Sequence, residues 1–99
     1  MINNIKYIKI LEGICKYYGI GQHELIELLK QRENKYLLLL LLKNYSCFEK
    51  ENVKEILRVK SSKSVNSNLK SAQEKLLINR EFRKKYFEIQ DSIDRIEKV

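Results

Sequence analysis

The 99-residue chain contains no proline and only 3 glycines, and these are the two residue types that interrupt helices most strongly. Their scarcity predicts long helices joined by few tight turns. The two cysteines, Cys15 and Cys47, lie too far apart for a close-spaced metal motif, so we expect reduced thiols in the core. The single histidine, His23, has no nucleophile beside it in a known catalytic signature, and no glycine-rich phosphate loop is present. We therefore expect neither an enzyme nor a bound metal or cofactor.

No segment has the length or composition of a membrane helix or a signal peptide. The most apolar run is the six leucines of residues 37–42, whereas a membrane-spanning helix needs about 20 apolar residues. The first eleven residues contain two lysines among isoleucines that are not adjacent, so they form no continuous apolar stretch, and they contain no small-residue cleavage site. We expect a cytoplasmic protein without a membrane partner, in which the leucine run forms a helix buried on most sides.

Positive charge is in excess, because 20 lysines and arginines face 13 aspartates and glutamates and give a net charge of +7. On a chain of this size a basic surface indicates a polyanionic partner, with nucleic acid ahead of an anionic membrane surface. Hydrophobic residues make up 43% of the chain, which is enough for a folded core. The charge could also reflect a lysine-rich composition alone, so the positions of the basic residues must decide.

Apolar residues recur at spacings of three and four along most of the chain, which is the period of helices packed on a core. The sequence predicts an all-α fold, a compact bundle of about six helices in a single domain of residues 1–99. The helices are predicted over roughly 2–18, 22–30, 35–44, 49–57, 62–78 and 81–97, with a loop at 31–34. The inward face of the first helix is predicted to comprise Ile2, Ile5, Ile8, Leu11, Cys15 and Tyr18.

Polar residues at three helix ends predict how those ends are capped. Ser46 and Glu49 have the spacing of a capping box at the start of the fourth helix. Ser61 or Ser62 is predicted to cap the start of the fifth helix. Asn79, a residue that tolerates the left-handed conformation, is predicted to end that helix.

Residues 49–78 follow the plan of a helix-turn-helix, with a short helix, a tight connection and a longer second helix. The stretch from Arg58 to Lys70 carries four basic residues and no acidic one. When Val65 and Ala72 face the core, Lys63, Ser67 and Lys70 point the opposite way at about 100° per residue.

This pattern predicts that the helix over about 62–78 enters the major groove of double-stranded DNA, where its first turns meet the bases. Lysine and serine can bond phosphates or base edges, asparagine can bond adenine, and the amides of 62–64 can hold a phosphate. The predicted DNA-binding residues are Arg58, Lys60, Ser61, Ser62, Lys63, Ser64, Asn66, Ser67 and Lys70. The alternative is an ordinary amphipathic helix with a solvated lysine face.

Several segments also share a pattern with one known family. They are Tyr17-Tyr18-Gly19-Ile20, Glu24-Leu25, Glu55-Ile56-Leu57, Ser64-Val65, and Asn79-Arg80-Glu81-Phe82-Arg83 with Tyr86. Through them, residues from about 11 to 89 resemble domain IV of the bacterial replication initiator DnaA, a Trp-repressor-like helix-turn-helix domain. The resemblance implies a bacterial DNA-binding protein that regulates transcription or replication.

The chain departs from this family mainly at the signature motif. Arg58 and Val59 stand in place of its two glycines, and Lys60 stands in place of its arginine. The family's aspartate, histidine and first threonine are replaced by Ser61, Ser62 and Lys63, and its basic loop is shortened to Lys30-Gln31-Arg32-Glu33. The resemblance therefore implies a fold and DNA binding without implying a particular target sequence.

The last predicted helix supports an alternative function as a protein-interaction module. Its apolar residues recur at spacings of four and three, as in a coiled coil, although over only about two heptads. They are Phe82, Tyr86, Ile89, Ile93 and Ile96. This stripe would form a homodimer, dock a partner, or simply pack in the core. RNA binding is a weaker third hypothesis, because no strand-borne aromatics are present.

A second basic cluster lies at the start of that last helix. It contains Arg80, Arg83, Lys84 and Lys85, interrupted by Glu81. The cluster would either contact DNA backbone at the edge of the site or form a solvated helix face.

Overall fold

The computed structural model describes the backbone of residues 4–97 and the side chains of residues 6–95. Within these limits the fold is all-helical, with six α-helices, one 3₁₀ turn and no strand. The helices are α1 (Asn4–Tyr18), α2 (Leu25–Leu28), α3 (Arg32–Asn44), α4 (Lys50–Leu57), α5 (Ser62–Ile78) and α6 (Arg80–Glu97), and the 3₁₀ turn (Gln22–Glu24) leads directly into α2. The radius of gyration, 12.8 Å, is that of a compact chain of this length. The predicted bundle of about six helices is confirmed.

Helix α3 lies at the centre of the fold. The six leucines of residues 37–42 are all buried, with between 0% and 6% of their surface exposed. A helix that is apolar on every side must be covered on every side, and α3 contacts α1, α4 and α5. The leucine run is therefore a central core helix, as predicted.

Helices α1 and α6 form an antiparallel pair beside α3, because Gly13 meets Ile93 whereas Tyr17 meets Glu88. The predicted inward face of α1 was wrong at Ile8, whose side chain is 48% exposed. Ile10 and Ile14 are buried instead. Apolar residues occur on several sides of α1, and the side that carries the small Gly13 is the one that α6 can approach closely. The side chains of residues 2 and 5 lie outside the described part of the chain.

The predicted loop at 31–34 does not form, because Gln31 is the N-cap residue of α3 and residues 32–34 are the first turn of that helix. Asn34, which made this segment look exposed, is 96% buried because its polar atoms are all occupied. Its amide nitrogen donates to the carbonyl of Leu28 at 2.9 Å and to Gln31 Oε1 at 3.2 Å. Its Oδ1 accepts from the hydroxyl of Tyr18 at 2.8 Å. One buried amide thus joins α1, α2 and α3.

The capping box predicted at Ser46 and Glu49 does not form. Ser46 adopts the left-handed conformation (φ 59°) and belongs to the turn that closes α3, where the amide of Cys47 donates to the carbonyl of Leu42 at 2.8 Å. Helix α4 begins later, at Lys50, and no side chain bonds its first amides. Ser46 could serve either the end of α3 or the start of α4, and in the structure it belongs to the turn that follows α3.

Asn79 does not adopt the predicted left-handed conformation, since its backbone is extended (φ −105°, ψ 107°). Its Oδ1 accepts from the amide of Phe82 at 2.9 Å, so Asn79 caps the start of α6. Asn79 also ends α5, as predicted, because its own amide donates to the carbonyl of Lys75 at 2.9 Å. The last carbonyls of α5 are satisfied by Arg83, whose guanidinium donates to Leu76 at 3.3 Å and to Leu77 at 2.9 Å. A single residue thus separates the two longest helices.

Candidate nucleic-acid interface

Helix α4 ends with a left-handed residue that reverses the chain. Arg58 has φ 58° and ψ 44°, and the amide of Val59 donates to the carbonyl of Lys54 at 3.0 Å. The same hydrogen bond closes helix ends at which glycine occupies the left-handed position, but here that position is occupied by the long side chain of arginine. Only residues 58–61 separate α4 from α5, as the sequence predicted for a tight connection.

Helix α5 begins at a serine cap. Ser61 is the cap residue, and its Oγ accepts from the amide of Ser64 at 3.1 Å. The same hydroxyl donates to Ser64 Oγ at 3.0 Å. Of the two serines considered for this role, Ser61 therefore fills it. The amide of Ser64 is already bonded to Ser61, so of the three amides predicted to hold a phosphate it is the one with a partner inside the protein.

The orientation of α5 about its axis agrees with the prediction. Val65 and Ala72 are fully buried, and Lys63 and Lys70 are exposed on the opposite side. Of the nine predicted site residues, seven are exposed and two, Ser62 and Ser64, are half-buried. The exposed seven are Arg58, Lys60, Ser61, Lys63, Asn66, Ser67 and Lys70, and we call the nine together the α5 surface.

The α5 surface is positively charged and its charges are not neutralised. Among the side chains of residues 6–95, no ion pair involves Arg58, Lys60, Lys63 or Lys70. The nearest acidic residue that follows them on α5 is Glu74, which lies exposed one turn beyond Lys70. Four unpaired cations on one connection and the adjoining helix face can all meet an anionic partner.

Three further basic residues lie beside the connection, and sequence analysis did not assign them to the site. Lys30, Arg32 and Lys35 line a pocket of about 300 Å³ together with Val59 of the connection and Asn68 of α5. Lys30 and Arg32 had a signal, since they occupy the shortened basic loop of the family resemblance. Lys35 had none, because it begins the predicted buried helix and only the fold brings it next to α4.

The second basic cluster is divided between structural and exposed residues. Arg83 bonds the end of α5, and Lys85 Nζ lies 3.2 Å from Glu33 Oε2 and 5.9 Å from the centre of the Tyr18 ring. Arg80 and Lys84 are exposed. Only these last two can therefore meet an external partner without breaking an internal contact.

The apolar stripe of α6 lies in the core of its own chain. Phe82, Tyr86, Ile89 and Ile93 are between 0% and 6% exposed. The side chain of residue 96 lies outside the described part of the chain. The stripe as described therefore presents no free seam, and the exposed aromatic side chain of α6 is Phe87, at 54%.

The remaining chemistry-bearing residues do not converge. His23 is 86% exposed and lies 3.6 Å from Glu24 Oε1. Cys15 and Cys47 are buried and form no disulfide, and burial is the main cause of the raised pKa of Cys15. Within the described residues no group of three histidine, cysteine or carboxylate side chains could hold a metal ion. None of the helices described here is long and apolar enough to cross a membrane.

Comparison of the chain with protein-family models, with curated proteins and with solved structures found no match in any of the three. A functional proposal must therefore rest on the positions, charges and contacts described above.

Proposed function

We propose that this protein binds double-stranded DNA, with α4, its connection and α5 acting as a helix-turn-helix and α5 lying in the major groove. The observation that carries the proposal is the α5 surface, where unpaired cations and small polar side chains lie opposite the buried Val65 and Ala72. Helix α5 has 17 residues, a length of about 25 Å, and the major groove is about 12 Å wide and admits one helix.

The residues of the α5 surface divide into two proposed roles. Arg58 and Lys60, on the connection, would contact phosphates and fix the position of the protein on the duplex. Lys63, Asn66 and Lys70 would reach base edges, with lysine donating to guanine and asparagine bonding adenine. The overall charge of +7 would speed the encounter with DNA.

The left-handed Arg58 also supports the family resemblance. In the aligned pattern Arg58 stands where the signature motif of DnaA domain IV has glycine, and glycine is the residue that the left-handed conformation favours. We propose on this basis a small regulator of transcription or replication of the DnaA domain IV type, acting in the bacterial cytoplasm.

The direct test is a titration of labelled duplex DNA by fluorescence anisotropy at several salt concentrations. We expect micromolar or tighter binding at low salt. The two phosphate contacts proposed for Arg58 and Lys60 give a slope of roughly −1.8 in log K against log salt, so binding should weaken roughly tenfold between 50 and 200 mM. The absence of salt-sensitive binding would contradict the proposal.

The double variant Lys63→Glu with Lys70→Glu should abolish binding while its helical circular dichroism stays unchanged, because both side chains are exposed. The matched control is Lys16→Glu with Lys50→Glu, which makes the same change in net charge at two exposed positions on α1 and α4. The control should keep most of the affinity. Equal losses in both double variants would indicate attraction to net charge and no defined site.

The second candidate function is a homodimer or partner interface on the C-terminal helix. Since the stripe of α6 is buried, this function would have to use the outer face of α6, where Phe87 is exposed. Sedimentation equilibrium of the wild-type chain and of Phe87→Ser tests it without removing Ile93 from the core. A dimer that the substitution dissociates, together with no binding to DNA, would establish this alternative.

A further inference from the structure

A groove opens beside the connection between α4 and α5. It has a volume of about 410 Å³ and lies between α2, the start of α3 and the end of α4. Lys30 and Lys35 line both this groove and the neighbouring pocket of about 300 Å³, so the two form one continuous depression. We call this depression the α2–α4 groove. Its size is that of a small-molecule site.

One end of the α2–α4 groove is apolar. It is formed by Ile26 of α2, Leu29 and Ile56 of α4. Ile26 is 66% exposed, whereas the other two are half-buried. Covering these three side chains with an apolar group would release water and favour binding.

The other end of the α2–α4 groove is cationic. Arg32, Lys35 and Arg58 line it, and none of the three is in an ion pair with a described residue. Lys30 also lines it and pairs with Glu27 at 2.8 Å, and Glu55 is the one carboxylate among the lining residues. Arg32 is the first residue of the 13-residue α3, so the positive end of that helix dipole adds to the charge.

We propose that the α2–α4 groove binds a small organic anion with an apolar body, such as an aromatic or long-chain carboxylate, sulfonate or phosphate ester. The apolar body lies on Ile26, Leu29 and Ile56, and the anionic group lies between Lys35 and Arg32. Neither end alone makes a strong site, because the apolar end is shallow and the lysines are well solvated. The juxtaposition of both ends within one depression selects a ligand that carries both features. Arg58 is the one residue that the groove shares with the α5 surface, and the proposed contacts to the anionic group, at Lys35 and Arg32, do not use it.

The test uses two fluorescent probes of similar shape and different charge. The anionic probe is 8-anilinonaphthalene-1-sulfonate and the neutral probe is N-phenyl-1-naphthylamine, each titrated into the folded full-length chain. We expect saturable 1:1 binding of the sulfonate, with amide chemical-shift changes confined to residues 26–36 and 54–59. We expect the neutral probe to bind at least tenfold more weakly.

Two sets of variants separate the two ends of the groove. Arg32→Gln with Lys35→Gln should weaken sulfonate binding at least tenfold and leave the neutral probe unchanged. Ile26→Ser should weaken both probes, and its matched control is Ile8→Ser, at another exposed isoleucine on α1. The charge control is Lys16→Gln with Lys50→Gln.

The proposal would be overturned if the groove variants bound the sulfonate as tightly as the wild-type chain, or if the control variants lost as much affinity as the groove variants. Binding of inorganic sulfate as tight as that of the organic sulfonate would also overturn it, because the apolar end would then contribute nothing. Occupation by duplex DNA or an acidic peptide without any binding of the small probe would assign the groove to a macromolecule and refute a ligand site. If the anisotropy assay shows that the chain does not bind DNA, the probe titrations still decide whether the groove binds a small organic anion.

Discussion

The close contact between α1 and α6 depends on a single glycine, Gly13. A Cβ at position 13 would lie closer to Ile93 Cγ1 than real Cβ atoms approach other atoms, and 3.3 Å from Ile93 Cδ1. Ile93 is fully buried, so its side chain has little room to move away. The helical geometry of Gly13 is ordinary, and the absence of a side chain there serves the contact between α1 and α6.

We predict that Gly13→Ala destabilises the protein by about 1–3 kcal/mol through overpacking, in spite of a gain of about 1 kcal/mol in helix propensity. Urea denaturation followed by circular dichroism measures the change. The double variant Gly13→Ala with Ile93→Ala should lose less stability than the sum of the two single variants, because the smaller side chain makes room for the new methyl group. Additive losses, or a stabilising Gly13→Ala, would contradict this account of the contact.

Among the elements, the bodies of the helices were predictable and their ends were not. The spacing of hydrophobic residues predicted the bounds of α3, α5 and α6 to within a few residues, because buried positions recur at a regular interval along the whole of each helix. The errors fall at Asn34, Ser46 and Asn79, polar residues that two neighbouring elements could each use. Which element takes such a residue depends on tertiary contacts, such as the bonds of Asn34 to Leu28 and Tyr18.

The candidate site was predictable to the same extent. Its outward face on α5 follows from the spacing of Val65 and Ala72 along one helix. The α2–α4 groove does not, because Ile26 and Ile56 come together across thirty residues of chain and no local period relates them.

Two helix ends hold a residue other than glycine in the left-handed conformation, and they form a matched pair for experiment. Arg58 ends α4 on the α5 surface, and Ser46 follows α3 away from it. A non-glycine residue in this conformation loses roughly 1 kcal/mol relative to glycine. We predict that Arg58→Gly and Ser46→Gly both raise the stability of the fold by up to about that amount, less the entropy that glycine adds to the unfolded chain.

The two substitutions should differ in their effect on DNA. Arg58→Gly should weaken duplex binding and reduce the magnitude of the salt slope by about one, because one phosphate contact is lost. Ser46→Gly should leave both unchanged. Thermal unfolding and the anisotropy titration measure the two effects on the same samples. A wild-type salt slope in Arg58→Gly would remove this residue from the proposed interface.

At the scale of the fold, the shifted pKa values of the described residues are all raised above their ordinary values. Burial raises the pKa values of Tyr7, Tyr18 and Tyr86. The hydrogen bond from Tyr17 to Glu88, 2.7 Å long, raises the pKa of Tyr17 to about 12. A tyrosine whose pKa is raised by folding stabilises the native state below its unfolded pKa of about 10, and this stabilisation is lost as the pH rises toward the folded value.

We predict that the melting temperature changes little between pH 6 and 9 and then falls between pH 10 and 12. Glu88→Ala should melt lower than the wild-type chain at pH 8, and the difference should narrow as the pH approaches 12, because Tyr17 then loses its proton in both. Circular dichroism melts across this range measure the effect. Glu74→Ala, at an exposed carboxylate on α5, is the control and should show a constant difference. A difference that widens with pH would reverse the sign assigned to Tyr17.

The one-residue junction at Asn79 has a mechanical consequence. Asn79 accepts a hydrogen bond from the first turn of α6, and Arg83 of α6 donates to a carbonyl in the last turn of α5. These two hydrogen bonds on either side of the junction fix the two helices relative to each other. Helix α6 is in turn pressed against α1 at Gly13. A force applied to the outer face of α5 would be transmitted through this junction into α6, and through the buried face of α5 into α3 and α4, so α5 would move together with the rest of the fold. A molecule that binds the outer face of α5 would meet a surface already in its bound conformation, and the association rate would be set by diffusion and long-range electrostatic attraction.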